Sequence, residues 1–412
     1  MKNILFAIVF LIISTLTLFS QRKITASIAD KNVKSVKVTS TLNANVPLIA
    51  LHSKQKIDIN FDIIHADPHR IGYRIFFCNA DWSKAHLSPH EYVSGVAEST
   101  INDFATSSGT RVTYTNYNLR IPNEDTRPLL AGNYAVEFFR EDYPEKVLFT
   151  TCFCVLDDKV EIIASLDKSI GYKDNEQQLN LEIIPESYTI TSAEAELKIN
   201  IYQNNIPVKS GSLAPTTVST TKIQYLNSNA LRFPAGNEYR AMEFTSKQKG
   251  GLHVDSVAKG TKKADVFLKA DAPRSTYNGM IANDFNGRFT INARGVADAS
   301  TEADYCKVKF TLIADSLPGK DVYIVGEAFE QRPCPFNKME YNAATASYEK
   351  EIVLKQGYYN YMYATNDEKT KALDFSLLEG NFSETENEYT ILIYHRSISQ
   401  EYDKLIGYKI VK

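Results

Sequence analysis

Short runs in which apolar and polar residues alternate, each ended by turn residues, recur along the whole chain: "QKIDINFDII", "YRIFFCNADW", "NYAVEFF", "AELKINIYQNNI", "KVKFTLIAD", "DVYIVGEAF" and "SYEKEIVLKQG". A period of two places alternate side chains on opposite faces of a strand, and none of these runs carries the three-to-four spacing of a helix. Val, Ile, Thr, Tyr and Phe dominate them, side chains that suit a half-buried pleated surface. The chain is therefore expected to be all-β, with helix confined to a turn or two in "SPHEYVSGV" and "LDFSLLEG".

At 412 residues the chain exceeds the roughly 250 to 300 that one hydrophobic core serves, so more than one domain is expected. "LLAGNYAVEFFRED" around Gly132, "FPAGNEYRAMEFTS" around Gly236 and "LKQGYYNYMYATND" around Gly357 share a Gly followed by alternating aromatics. They stand roughly 100 to 120 residues apart, a spacing that suits one sandwich per copy. The expectation is three tandem Ig-like β-sandwiches over 21–157, 158–298 and 299–412, with the small polar stretch "GVADASTEAD" as the last linker. Ahead of them, "MKNILFAIVFLIISTLTLFSQRK" has one Lys, an apolar run from Ile4 to Ile13 and a Ser/Thr-dotted end, the layout of a signal peptide over 1–20. The alternative is a membrane anchor, for which the continuous apolar part falls short of the ~20 residues a span needs.

Chemistry-bearing motifs are sparse. The formal net charge is −3 with Lys and Arg scattered, which does not supply a basic stripe for nucleic acid. No nucleophile elbow, zinc-protease helix or phosphate loop occurs, and acidic pairs such as Glu124 with Asp125 or Glu384 with Glu386 carry no geometry of their own, so no catalytic residue is assigned. His65, Asp67 and His69 alternate in "IIHADPHR", but Pro68 argues for a solvated turn over a metal-binding strand face. Cys152 and Cys154 share a strand face, lack partners of zinc-site spacing, and are expected to pack as small apolar side chains among five cysteines, an odd number. No metal and no cofactor is expected.

Tyr359, Tyr361 and Tyr363 form an alternating row that reads either as a binding platform or as core. The segment from "DVYIVGEAFE" to "GYYNYMYATND" resembles the early-set Ig-like modules that bind glycogen and starch. Those modules read sugar with a Trp and a Lys; here "GEAFEQRPC" lacks the Trp, and Met362 occupies the Lys place. The row is therefore expected to face inward, with its hydroxyls finding partners at the sandwich rim, while Tyr358, Asn360 and Met362 face outward.

A wider resemblance runs through the mature chain in order. "YRIFFCNADW", "LSPHEYVSGV" and "INDFATSSGTRVTYTNYNLRIPNED" come first, then "IYQNNIP", "GNEYRAMEF" and "NDFNGRFTI", then "ADYCKVKFTL", "EGNFSETENEYTILIYHR" and "YDKLIGY". Together they resemble the plug proteins of the bacterial type IX secretion system. The resemblance implies a non-enzymatic periplasmic protein at the inner face of the outer membrane, which closes the periplasmic opening of the giant translocon barrel and leaves when cargo engages. It implies that barrel as partner, without nucleic acid or a small-molecule substrate. The alternatives are an exported carbohydrate-binding protein and a periplasmic adaptor. For the partner contact, "NADWSKAHLSPHEY" offers Trp82, His86 and Tyr92, because Trp and Tyr are frequent interface anchors; the competing role for Trp82 and Tyr92 is packing of the first domain.

Overall fold

The computed structural model describes residues 23–412 apart from 43–45, 66–67, 168–174, 247–249, 259–263, 278–283 and 368–371. The expected signal segment, 1–20, and Asp67 lie outside the described residues. The fold is all-β, as the alternating runs imply, and its strands form several sheets around separate apolar cores.

The first unit pairs Val33–Ser40, Ile57–Ile63, Thr115–Ile121 and Asp103–Thr106 in one sheet. The facing sheet is built on Ile71–Cys78, Gly132–Arg140 and Tyr143–Leu156. Alternation decides which side chains meet between them: Ile57, Ile59, Phe61 and Ile63 point into the core, where Phe61 touches Phe138 and Phe149. The core ends near Val155, close to the expected boundary at 157.

Beyond that point the chain departs from the tandem arrangement. Leu197–Gln203 pairs antiparallel with Tyr389–His395, and Lys404–Val411 completes the sheet. The second core thus combines residues from Val160 to Phe233 with residues from Tyr389 to Ile406. The third core, Met242 to Leu378, is inserted between those two stretches. Pairing therefore crosses the boundary expected at 298/299. The glycine-led repeat does not mark one sandwich per copy either: Arg240–Phe244 and Gly357–Asp367, which follow its second and third glycines, are neighbours in one sheet. The shared sequence records a strand entry. At Gly357 a Cβ would stand 2.3 Å from the Thr290 carbonyl oxygen, so only glycine fits between the flanking strands there.

The stretch expected to be a linker is a joint. Asp298 caps the short helix Ala299–Glu302 by accepting from Ser300 N at 2.9 Å. The segment then packs on the first unit, with Tyr114 Oη donating to the Ala303 carbonyl at 2.8 Å and Ser108 N to the Thr301 carbonyl at 3.0 Å. Small side chains allow that close approach. Of the two expected helical turns, "SPHEYVSGV" holds Pro89–Tyr92, with Ser88 N donating to Glu91 Oε2, whereas "LDFSLLEG" contributes the strand Leu373–Asp374 and turns.

Candidate functional site

Three joints tie the units together, and each uses side chains that strand alternation points away from the sandwich interiors. On Ile57–Ile63 the outward row is Asp58, Asn60 and Asp62; the first two are partly exposed, while Asp62 is buried. The inserted unit covers it there: Lys355 Nζ lies 2.6 Å from Asp62 Oδ2, Tyr305 Oη donates to the same oxygen at 2.6 Å, and Asn116 Nδ2 donates to Oδ1 at 2.7 Å. Lys355 Nζ also stands 4.2 Å from the centroid of the Tyr114 ring. Burial pushes the Asp62 carboxyl up and the Lys355 ammonium down, each opposed by the attraction of the other.

Between the first and second units an apolar contact joins Leu48, Ala80, Cys154 and Leu156 to Leu392, Tyr394 and Leu405. Its polar partners are buried with it. Asp403, fully buried, accepts from Ala80 N at 2.9 Å and pairs with Lys198 and Arg396, each at 2.9 Å. Tyr394 Oη donates to Asn133 Oδ1 at 2.7 Å. Where the chain leaves and re-enters the second unit, Asn387 Nδ2 bonds Gln177 Oε1 and the Ala235 carbonyl and Asn204 Nδ2 bonds Asn387 Oδ1, and across to the insertion buried Arg288 pairs with Glu388. All three pairs of units are thus held by buried, hydrogen-bonded contacts rather than by flexible tethers.

The residues proposed as a partner contact fall in different places. Trp82 is half-buried in the joint between the first and second units, its Nε1 donating to Tyr202 Oη at 3.1 Å, and it sits at φ 65°. Tyr92 belongs to the first core and donates to the Ile75 carbonyl at 3.2 Å. His86 is exposed. The two rings thus have internal packing roles, and His86 alone of the three presents its side chain to solvent. A sequence signal for this internal joint lies in "YTILIYH", every residue of which is buried, with Leu392 and Tyr394 packed against the first unit.

The tyrosine row is core. Tyr359, Tyr361 and Tyr363 are at most 1% exposed, and Tyr361 and Tyr363 both donate to Asp271 Oδ2 at 2.8 Å. Their acceptor is a buried carboxylate, not a group at the rim. Burial alone would push Asp271 up; His253 at 3.2 Å and the Arg240 guanidinium at 2.7 Å outweigh it and hold the carboxyl below its ordinary value. The expected outward row is covered too: Asn360 and Met362 are buried, and Tyr358 is half-buried against Phe285. A sugar-stacking platform on Tyr358 or Tyr359 is therefore not presented.

His65 and His69 meet edge to face at 4.6 Å, and Tyr117 Oη donates to the His69 carbonyl. Among the described residues no three His, Cys, Asp or Glu side chains converge as a metal site. None of the five cysteines is in a disulfide; burial pushes Cys78 and Cys154 up to about 12, and Cys154 packs within a joint. Cavities open on the surface of the described residues. One, about 970 Å³, is a groove at the end of the first sandwich lined by Ile49, Leu51, Ile101, Leu119, Arg120 and Leu129. Another, about 480 Å³, lies on the second unit, with Tyr188, Glu196 and His395 at its floor. No described helix is long and apolar enough to cross a membrane.

Residues 33–157, the first unit and its joint-forming edge, match the family described as type 9 secretion system plug protein 1st domain. This unit is similar to the first domain of that plug family. It lies within an architecture shared with a crystallised hypothetical protein from Parabacteroides merdae. That protein is 37% identical to the chain, superposes with a TM-score of 0.91, and the match covers 95% of this chain and all of that one. No curated protein matches the sequence. The description of that family names the type 9 secretion system, and the match extends over residues 33–157.

Proposed function

We propose that this protein is a plug subunit that closes the periplasmic opening of the giant outer-membrane translocon barrel of the type IX system and is released when cargo engages. The observation that carries this reading is the match to the plug family's first domain at 33–157. The buried joints support it, because an occluder built as one preassembled body loses little conformational freedom on docking. We take the three units as three domains, exported behind a signal peptide to the periplasm and peripheral to the outer membrane through the barrel. Release by competition fits an interface of ordinary size, roughly 1,200 to 2,000 Å² in total and polar at its rim. The exposed edge of the loop around His86 is one proposed part of that contact. Deletion of the gene tests the reading: entry of a large hydrophilic antibiotic through the outer membrane should rise, and the rise should vanish when the barrel is also deleted. Unchanged permeability in the single deletion contradicts it.

A further inference from the structure

The chain leaves the second unit for the insertion just after Phe233 and returns just before Tyr389, and the two connectors run against each other. Neutral hydrogen bonds tie them. Gly236 N donates to Asn381 Oδ1 at 2.9 Å, Phe382 N to the Gly236 carbonyl at 2.9 Å, and Asn237 Nδ2 to the Glu379 carbonyl at 2.7 Å. Glu238 adds an ionisable tie that reaches further. Its Oε1 accepts from Glu386 N on the returning connector at 2.8 Å, and its carboxyl hydrogen-bonds the carboxyl of Asp284, which belongs to the insertion. Asp284 in turn accepts from Tyr239 N, on the outgoing connector, and from Asn286 N.

Two carboxyls share a hydrogen bond only while one of them keeps its proton. Asp284 takes two backbone N–H donors, which favours its charged form, so Glu238 is the member that holds the proton and donates it. Loss of that proton sets two anions against each other, and the charges that act on Glu238, those of Asp284 and Glu386, are both repulsive. Cations on the surrounding elements are engaged elsewhere: Arg274 donates to the Glu238 carbonyl but pairs with Glu379, while Arg288 and Lys412 pair with Glu388. The phenols that feel the Asp284 charge, Tyr239 and Tyr358, are held neutral, their ionisation pushed above its ordinary range by burial.

We infer that Glu238 and Asp284 form a proton-operated clasp, which seats the insertion on the second unit while the two carboxyls share a proton and loosens that seat when the proton leaves. The clasp stands where both connectors meet the insertion, so its opening frees the insertion to shift against the second unit. This device is independent of the plug reading.

Hydrogen exchange of the full chain, followed by mass spectrometry at about pH 6 and about pH 8 and corrected for the intrinsic pH dependence of exchange, tests it. In the wild type, protection of peptides over 236–241, 284–288 and 382–388 should fall about tenfold between the two conditions, while the central strand Gly132–Arg140 keeps its protection. That factor follows from a proton held up to about 7 in the closed clasp and only to the ordinary 4.5 in the open one. Glu238→Gln, whose amide can donate to Asp284 and accept from Glu386 without titrating, should keep its protection at both. The same fall in Glu238→Gln overturns the clasp, and so does wild-type protection that stays level with the control strand, whatever the variant does.

Discussion

Lys355 Nζ and Asp62 Oδ2 stand 2.6 Å apart with their side chains 2% and 0% exposed, and they belong to different units. A charge so buried is costly unless its partner and further hydrogen bonds are in place, and Tyr305 and Asn116 supply those bonds. Lys355→Met should therefore destabilise the protein by about 3 to 5 kcal/mol in urea denaturation, because Asp62 is left unpaired. The double variant Lys355→Met with Asp62→Leu should recover much of that loss. A double variant as unstable as the sum of the singles would show that the pair does not act as one element.

The tyrosine row permits a graded test. Tyr361→Phe removes one of two hydroxyls from Asp271 Oδ2 and should cost about 1 kcal/mol. Asp271→Ala strands both hydroxyls and unbalances Arg240, and should cost several times as much, roughly 3 to 5 kcal/mol. Equal losses in equilibrium unfolding would mean that the carboxylate is not the hub of this network.

The tyrosines also show what a sequence discloses. Their spacing revealed a strand and their size revealed core, since both follow from local periodicity. The second burial, of Asn360 and Met362, was not legible, because the elements that cover that face are distant in the chain. The same limit hid the insertion. Leu197–Gln203 chooses a partner almost 200 residues onward, and alternation specifies a strand's faces but not its neighbour. "YTILIYH" did carry a usable signal: a strand apolar on both faces is covered on both faces. Trp82 packs in the joint between the first and second units, a placement its sequence neighbourhood does not disclose.

Trp82 is the only tryptophan, so its emission reports on the joint it occupies. If the first and second units unfold as one body, Trp82 emission and far-ultraviolet circular dichroism should follow the same denaturation curve. An earlier fluorescence transition would reveal a joint that opens before the sandwiches melt.

Glu238 gives a pH dependence with a definite sign. Burial, then the nearby carboxylates of Asp284 and Glu386, raise it from its ordinary 4.5 to about 7 in the folded state. The folded protein holds that proton more tightly than the unfolded chain, so its contribution is fully present below pH about 4.5 and is lost as pH rises through about 7. Glu238→Gln should flatten the fall in melting temperature across that interval. An unaltered pH profile in the variant would contradict the assignment.

The central claim is tested most directly by mild-detergent affinity purification of the tagged protein from its own outer membranes, with every co-purifying protein identified. The account predicts recovery of the giant type IX barrel without cargo. Recovery of a cargo-loaded barrel that still holds this protein, or of envelope proteins without the barrel, would contradict it.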